Sequence, residues 1–371
     1  MKEKIKILWV TNAFGFGGAE RQMLYMYQIL QKYCNFDITI LYYAKVGDEL
    51  CIDGVKTVFV DKAKIGSMNT VKQIAKYIKE NDIDIMHAFG GSSANIYGRA
   101  GTMFCAKTTP VGAMLGKRHF ASRSVKVVNS LLNLFGNWWT VNNLDLEPIL
   151  CKDLRFISKK RVKMLHNGYV PADKIDYRLS EQTEYDLDKH GNFVFTVLGR
   201  LAPVKNYDLF IKAAAQLAQR YNNVRFWVIG NGAESEHLQV LAQECGVADK
   251  VRFWGYRTDT DIALSRSDVF VQTSFTEGSP NTVAEAMRAR RPIITTRSTD
   301  FSEMIRQGEN GYVVENDNLP QLVEAMETLL EKTPEQLHQA GEVSYELFET
   351  YFIDTRVASE FEKFYHEILG N

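Results

Sequence analysis

Short apolar runs alternate with amphipathic segments through the first half of the chain. Runs typical of buried strands cover residues 5–10, 38–43, 55–60, 83–87, 111–115 and 138–141. Apolar positions recur at helical spacing in residues 21–33 and 70–79. This alternation predicts a parallel, doubly wound α/β sheet.

A second series of the same kind follows a polar, charged stretch that has no clear periodicity. Its strand-like runs cover 193–198, 224–229, 251–254, 269–272 and 292–295, and helical spacing covers 206–221 and 234–245. After 312–314 the chain looks wholly helical. We predict an N-terminal domain at 1–172, a linker at 173–190, a C-terminal domain at 191–352 and a C-terminal helix at 353–371.

Composition narrows the class of protein. The 371 residues are 45% apolar and 24% charged, and the net charge of −1 argues against a nucleic-acid binder. Five cysteines without a C-x-x-C pair and seven scattered histidines predict free thiols in a reducing cytoplasm and no metal site. No signal peptide and no apolar run long enough to span a bilayer are expected.

Two carboxylates lie eight residues apart, between two apolar strand-like runs, in the segment Glu277-Gly278-Ser279-Pro280-Asn281-Thr282-Val283-Ala284-Glu285. Glu277 should lie in a loop at the carboxyl end of a parallel strand, where open α/β sheets bind ligands. A carboxylate there can accept hydrogen bonds from vicinal hydroxyls, and the following helix start presents backbone N–H groups. The segment favours a sugar nucleotide; the alternative is two solvated glutamates at a helix start.

Other loops of the second series carry charge or glycine at strand ends. Arg200 and Lys205 follow Gly199, and such cations can stabilise a diphosphate leaving group. Gly-rich Gly230–Gly232 and the turn at Tyr256 and Arg257 follow the next two strands. Each of these segments is also compatible with an ordinary strand–helix loop.

The first strand is followed by a glycine-rich segment that ends in Gly17-Gly18-Ala19-Glu20. Glu20 stands where a dinucleotide fingerprint has its third glycine, which argues against a nicotinamide site. His87 ends a strand-like run, so both a functional and a structural role remain open for it.

Taken in order, Gly17-Gly18, Gly199-Arg200, Lys205, Gly230-Asn231-Gly232, Trp254-Gly255-Tyr256 and Glu277…Glu285 resemble glycosyltransferase family 4, which comprises retaining enzymes within glycosyl transferases group 1. The resemblance extends from Ile5 to Ile368 and implies the GT-B fold. In that fold two Rossmann-like βαβ domains face each other across a cleft, and the C-terminal helix crosses back to the N-terminal domain.

The resemblance also implies a role for each matching residue. The catalytic positions are Arg200, Lys205, Glu277 and His87, with the two cations on the diphosphate and Glu277 against the donor sugar. Glu285 should bind the ribose, and Tyr256 and Arg257 should line the base. The implied donor-binding residues are Gly17, Gly18, Gly199, Asn231, Tyr256, Arg257, Gly278, Ser279, Pro280, Asn281, Thr282 and Glu285. Two positions depart from the family, because Asn206 and Arg290 stand where it usually has glycine.

The implied activity is retaining transfer of a hexose or N-acetylhexosamine from a nucleotide sugar, with a UDP-sugar expected, to a glycan or lipid-linked acceptor of cell-surface polysaccharide or glycolipid synthesis. The expected mechanism is front-side attack, needs no metal or cofactor and assigns no protein base. Alternatives are a sugar-nucleotide 2-epimerase of the same fold, a non-catalytic sugar-nucleotide-binding subunit and, with least support, an NAD-dependent oxidoreductase.

The acceptor side of the chain is locally basic. No acidic residue occurs from 85 to 144, whereas six basic residues do: Arg99, Lys107, Lys117, Arg118, Arg123 and Lys126. A second basic cluster covers 152–163, and the segment 125–139 between them is rich in Val, Leu, Phe and Trp. This combination predicts peripheral contact of a cytoplasmic protein with an anionic membrane. The alternative is a core helix with a solvated basic rim.

Overall fold

The computed structural model describes residues 4–14, 18–45, 54–117 and 122–370. Its strands are β1 Ile5–Thr11, β2 Phe36–Tyr42, β3 Thr57–Phe59, β4 Ile85–Ala88, β5 Thr109–Met114, β6 Trp138–Val141, β7 Val162–Met164, β8 Phe193–Leu198, β9 Val224–Ile229, β10 Val251–Gly255, β11 Val269–Gln272, β12 Ile293–Thr296 and β13 Gly311–Val314. Its helices are α1 Gly18–Tyr33, α2 Lys62–Glu80, α3 Ser92–Thr102, α4 Arg123–Leu132, α5 Leu146–Asp153, α6 Glu184–Lys189, α7 Tyr207–Arg220, α8 Ser235–Glu244, α9 Thr260–Arg266, α10 Asn281–Arg288, α11 Leu319–Leu330, α12 Pro334–Phe352 and α13 Asp354–Leu369.

The chain forms two compact units. The first comprises Met1–Tyr169 together with Phe352–Asn371. Its sheet has the order β3-β2-β1-β4-β5-β6-β7, and every pair of neighbouring strands is parallel. The doubly wound α/β architecture expected from the apolar pattern is confirmed, and the sheet has one strand, β7, that the pattern did not predict.

The helix that follows the second unit in sequence, α13, belongs to the first unit. Its side chains Val357, Phe361 and Tyr365 are at most 1% exposed and pack in one core cluster with β1 and β2. Tyr365 Oη accepts a hydrogen bond of 3.0 Å from Trp9 Nε1 on β1. The first hydrophobic core is therefore completed by a helix that comes much later in sequence.

The second unit, Val170–Tyr351, contains the sheet β10-β9-β8-β11-β12-β13, again with parallel neighbours throughout. A single core cluster covers one side of it, built from β8, β9 and β11 with α7 and α11. The central strands β8 and β11 are almost entirely apolar and buried, as expected where both faces of a parallel sheet are covered, whereas the edge strand β10 is partly exposed.

Residues 173–190, which the sequence analysis assigned to a linker, lie within the second unit and include α6. Thr183 and Asp186 form a capping box at the start of α6, and the Tyr185 side chain is 1% exposed. Tyr185 therefore anchors α6 to the second unit. The sequence analysis did not find this anchor, because α6 is short, begins with polar capping residues and shows no apolar periodicity. Among the described helices, none combines the length and hydropathy needed to cross a bilayer.

Candidate functional site

The second sheet has a topological switch point between β8 and β11. From β8 the chain adds β9 and then β10 on one side, whereas β11, β12 and β13 lie on the other. The loops that leave β8 and β11 therefore diverge at the carboxyl edge of the sheet. In open α/β sheets this is the crevice in which ligands bind.

Lys205 and Glu277 meet at this switch point, one from each of the two loops. Lys205 Nζ lies 2.7 Å from Glu277 Oε1, and the two side chains are only 20% and 13% exposed. Glu277 Oε1 also accepts hydrogen bonds from Ser274 Oγ at 2.6 Å and Gln272 Nε2 at 3.4 Å. Glu277 Oε2, in contrast, accepts none from the described residues. One carboxylate oxygen is thus held in place while the other remains available to a ligand.

The two loops are also joined through their backbones. Thr273 Oγ1 donates to the Lys205 carbonyl at 2.9 Å, and the Phe275 N–H donates to the Val204 carbonyl at 2.9 Å. Thr273 is fully buried. These bonds fix the position of Lys205 relative to Glu277 before any ligand arrives, which is the preorganisation that electrostatic catalysis requires.

Glycines allow the neighbouring loops to approach each other. Gly230 has φ of +138°, and a Cβ placed on it would lie 1.9 Å from the Gly199 carbonyl oxygen. Gly199 itself has φ of +148°, and its Cβ position lies 3.0 Å from Tyr207 Oη. Tyr207 is buried, and burial together with the nearby Glu277 raises the pKa of its phenol. Glycine is therefore required sterically at the carboxyl ends of β8 and β9.

Arg200 follows Gly199 and is exposed. Within the described ranges the Arg200 guanidinium forms no ion pair or hydrogen bond, whereas the Lys205 ammonium group is paired with Glu277. The structure thus provides one paired and one unpaired cation on the loop after β8. An unpaired surface arginine is well suited to bidentate contact with a phosphate.

The loop before α10 presents backbone donors. Neither the Gly278 nor the Ser279 N–H donates a hydrogen bond to any described residue, and both residues are half-buried. Pro280 is buried, and Asn281, Thr282 and Glu285 lie half-buried on α10. The segment 278–285 therefore has the helix-start geometry expected from the sequence.

Two predicted donor-binding side chains are already engaged within the second unit. Asn231 Oδ1 accepts hydrogen bonds of 2.9 Å from both the Gly232 N–H and Ser235 Oγ, which orders the turn into α8. Arg257 is paired with Asp259 and Glu184, and its hydrogen bond to Asp259 raises its pKa. Tyr256 is 61% exposed beside it. Of these three, Tyr256 is the side chain free to stack on a base.

The catalytic assignment of His87 is withdrawn, because the structure buries this residue in the first unit. The His87 side chain is 0% exposed, Nδ1 lies 2.9 Å from Tyr365 Oη, and Nε2 lies 2.9 Å from Thr140 Oγ1. Burial lowers the pKa of the imidazole to about 3. A neutral ring with both nitrogens occupied has no atom to offer a substrate.

Two predicted residues remain. Gly17 falls outside the described residues, and Gly18 begins α1, the helix that follows β1. The first sheet has its own switch point, between β1 and β4. Asn12, which the sequence analysis did not single out, follows β1, and its Oδ1 accepts hydrogen bonds from Tyr43 Oη and Ser93 Oγ. The Cβ positions of Gly90 and Gly91 would clash with Thr11 and Asn12, so the loops after β1 and β4 also touch.

One group among the described residues has the residue types found in metal sites, whereas the sequence analysis expects no metal site. Asp208, Glu234 and His237 bring their ligand atoms within 4.8 Å of one another. His237 Nε2 lies 2.9 Å from Asp208 Oδ2, and that hydrogen bond raises the pKa of the histidine. His237 is half exposed, and its Nε2 already hydrogen-bonds to Asp208. The three residues come from two different helices and a turn, so their spacing along the sequence gives no sign of this group.

Comparison with known proteins shows that most of the second unit is similar to a family of glycosyltransferases. The family model described as "Glycosyl transferases group 1" matches residues 181–346. The lipopolysaccharide core biosynthesis glycosyltransferase LpsE of Rhizobium meliloti is 33% identical over 133 residues, which are 36% of this chain and 38% of that protein. The chain thus spans less than half the length of several curated relatives that it matches; the first three are covered over 38%, 42% and 48% of their lengths.

Two longer similarities cover both units. The UDP-Gal:alpha-D-GlcNAc-diphosphoundecaprenol alpha-1,3-galactosyltransferase of Escherichia coli is 26% identical over 346 residues, 87% of each chain. The crystal structure of Anabaena Alr3699/HepE in complex with UDP superimposes with a TM-score of 0.82 at 19% identity, covering 96% of this chain and 98% of that one. The chain therefore has the GT-B fold, and its residues 181–346 are similar to the glycosyl transferases of group 1.

Proposed function

We propose that this protein is a retaining glycosyltransferase that moves a hexose or N-acetylhexosamine from a UDP-sugar to a glycan or lipid-linked acceptor of cell-surface polysaccharide or glycolipid synthesis. The observation that carries the proposal is the Lys205–Glu277 pair, preorganised at the switch point of the second sheet. The relatives support the substrate classes: the E. coli protein is named for UDP-galactose and a diphosphoundecaprenol acceptor, and the Anabaena protein was crystallised with UDP.

The proposed division of labour follows from the contacts. Lys205 and Arg200 neutralise the diphosphate as the glycosidic bond breaks, which is the largest electrostatic demand of the reaction. Glu277 Oε2 and the free N–H groups of Gly278 and Ser279 receive hydroxyls of the sugar. Glu285 receives the ribose hydroxyls, and Tyr256 stacks on the base.

Double displacement needs two carboxylates at the transferred sugar. In this proposal only Glu277 lies at the sugar, because Glu285 is assigned to the ribose, so double displacement is not part of it. We propose front-side attack, in which the departing phosphate accepts the proton of the acceptor hydroxyl. The two cations stabilise the charge that develops on that phosphate. In this proposal the reaction requires no metal.

The test uses UDP binding and donor turnover. Replacing Lys205 should weaken UDP binding, whereas replacing Glu277 should not, and both substitutions should lower turnover. Lys205→Ala removes a cation and should weaken UDP binding about tenfold or more and turnover about a hundredfold. Glu277→Gln removes a negative charge that lies 2.7 Å from Lys205 and should leave UDP binding unchanged or several-fold tighter while turnover falls.

Calorimetric titration with UDP, and UDP release from UDP-sugars with GDP- and ADP-sugars in parallel, provide the readouts. Lys212→Ala, an exposed lysine on α7, is the matched control and should change neither quantity. Tighter binding of GDP or ADP would replace the donor assignment. Two outcomes would contradict the proposed transferase activity. Conversion of a UDP-sugar into its epimer would indicate an epimerase, and binding without turnover when acceptors are supplied would indicate a non-catalytic subunit.

A further inference from the structure

The helix α4 and the turn that follows it bury polar side chains and expose apolar ones. Asn129 and Ser130 of α4 and Asn133 of the turn are at most 7% exposed, and they are buried together with Leu132. The exposed apolar side chains are 52% to 61% exposed: Val127 and Leu131 of α4, and Leu134 and Phe135 of the turn. A helix of a globular protein normally buries its apolar side, whereas these four side chains, here called the apolar face of α4, are largely uncovered by the described residues.

Hydrogen bonds from the buried polar side of α4 and of the turn after it fix the orientation of the helix. Arg99 is 1% exposed, and its Nη2 donates to Asn133 Oδ1 at 2.6 Å and to the Gly136 carbonyl at 2.5 Å. Asn133 Oδ1 also accepts from Trp139 Nε1 at 2.9 Å. Burial lowers the pKa of Arg99 to about 9, which leaves the guanidinium charged at neutral pH. Turning the apolar face inward would leave this buried cation without partners.

A basic segment lies directly beside α4. Ser130 Oγ accepts from the Arg155 N–H at 2.9 Å, and Asn133 Nδ2 donates to the Arg155 carbonyl at 2.7 Å. Arg161 donates to Asn137 Oδ1 at 2.6 Å. Phe156 is 56% exposed, and five exposed cations surround it in sequence: Lys152, Arg155, Lys159, Lys160 and Arg161.

Acidic side chains contribute little to this region. Asp153 is paired with Lys126 at 2.5 Å, and residues 154–164 contain no acid. Three of the basic residues that first suggested a charged surface do not add free charge to it, because Arg99 is buried, Lys117 is paired with Asp145 and Lys126 is paired with Asp153. A fourth, Arg118, lies outside the described residues. The charge therefore comes from the segment 152–161 and Arg123 rather than from the first domain as a whole.

We propose that the apolar face of α4 together with the segment 152–161, here called the α4 surface, docks on a bilayer that contains anionic lipid. Exposed aliphatic and aromatic side chains can enter the acyl boundary while the flanking cations remain at the headgroups. Net positive charge beside the apolar face selects an anionic surface over a neutral one. The proposal concerns binding and is independent of the chemistry of the second unit.

Sedimentation of the full chain with phosphatidylcholine vesicles that contain about one third phosphatidylglycerol tests the proposal, without donor or acceptor. The protein should sediment with these vesicles, should remain in solution with phosphatidylcholine alone, and should be released by high salt. Leu131→Gln combined with Phe135→Gln should weaken binding about tenfold or more, since both side chains are exposed and lose only their transfer into lipid. Lys159→Gln combined with Lys160→Gln should weaken it several-fold and flatten the salt dependence.

Leu179→Gln combined with Leu187→Gln is the matched control, because these leucines are 78% and 64% exposed in the second unit. It should leave vesicle binding unchanged. Circular dichroism of each variant verifies folding, and UDP binding verifies the second unit. Absence of binding to anionic vesicles, or binding that the α4 variants leave intact, overturns the proposal. A dimer in solution that the Leu131/Phe135 variant dissociates overturns it in favour of a second copy of the chain as the occupant.

Discussion

At the scale of single residues, His87 and Glu277 show how a strand end can serve two purposes. His87 lies near the end of a parallel strand, β4, and Glu277 lies in the loop that follows another, β11. Glu277 lies in a loop at a switch point and keeps one carboxylate oxygen free, whereas His87 still lies within β4 and hydrogen-bonds through both ring nitrogens. Both residues lie near the carboxyl end of a strand. The exposure of the side chain decides which of them can contact a ligand: His87 is fully buried, whereas Glu277 is partly exposed.

His87 should make the stability of the first unit dependent on pH. Its pKa is lowered to about 3 in the folded chain from 6.5, so below pH 6.5 the unfolded state takes up a proton that the folded state does not. The free energy of unfolding should therefore fall as pH falls through this window, by about 1.4 kcal/mol between pH 7.5 and 5.5. His87→Gln should remove about that much of the pH dependence in urea unfolding followed by tryptophan fluorescence.

His338→Gln, at an exposed site, controls for loss of a histidine in this experiment. Comparing the slope against pH rather than the absolute stability keeps the prediction valid even where Gln packs less well. An identical slope in wild type and His87→Gln would contradict the buried, neutral imidazole.

At the scale of elements, the end of α10 depends on a residue that should disfavour it. Arg290 has φ of +55°, in the left-handed region where the resemblance led us to expect glycine. Its guanidinium lies 3.7 Å from the Tyr345 ring centroid and its Nε lies 2.7 Å from Glu342 Oε1. Stacking and an ion pair with α12 thus offset the backbone strain of ending the helix with arginine.

Two substitutions should separate the strain from the contacts. Arg290→Ala keeps the left-handed backbone and loses the contacts, so we expect it to lower the free energy of unfolding by about 1–2 kcal/mol. Arg290→Gly loses the same contacts but relieves the strain, and should be about 1 kcal/mol more stable than the alanine variant. Thermal and urea unfolding provide the measurement.

Arg297→Ala, which breaks an exposed pair with Glu315, controls for the loss of a surface arginine and should change stability little. An alanine variant as stable as the glycine variant would show that residue 290 carries no strain.

Predictability from sequence also varies by element. Most strands, and the location of Lys205 and Glu277 in loops at strand ends, could be predicted, because apolar runs and strand-end polarity are local signals. The ion pair between these two residues could not be predicted, because it joins loops that are 72 positions apart in sequence. The anchor at Tyr185 was missed although Thr183 and Asp186 supply a readable capping box, since a six-residue helix has no periodicity. The sequence could not predict which side of α4 is buried. That orientation depends on hydrogen bonds from Arg99 and Trp139, which lie in other elements.

At the scale of the whole molecule, the first unit depends on a helix that the sequence places after the second unit. Phe361 of α13 is 1% exposed, stacks against Phe89 at 6.5 Å between ring centroids, and lies in the cluster that covers β1 and β2. Phe361→Ala should lower the free energy of unfolding of the first unit by about 3–5 kcal/mol through the cavity it leaves. The second unit, which shares no residue with that cluster, should be affected much less.

Limited proteolysis with mass spectrometry distinguishes the two units in the same sample. Cleavage of the Phe361→Ala variant should increase within residues 4–165 and remain at the wild-type level within 193–330. Phe275→Ala, at a 45% exposed phenylalanine of the second unit, is the control for loss of an aromatic ring and should leave the first unit protected. Equal cleavage of both units in Phe361→Ala would mean that they unfold together.

The position of α13 has a consequence for synthesis on the ribosome. The second unit is one continuous stretch, so its core is complete as soon as its own residues have emerged. The sheet of the first unit is translated earlier, yet it must wait with an uncovered apolar face until a segment beyond the second unit has been made. Order of translation and order of folding are therefore reversed, and the waiting sheet is the state of this chain most exposed to chaperones and to aggregation.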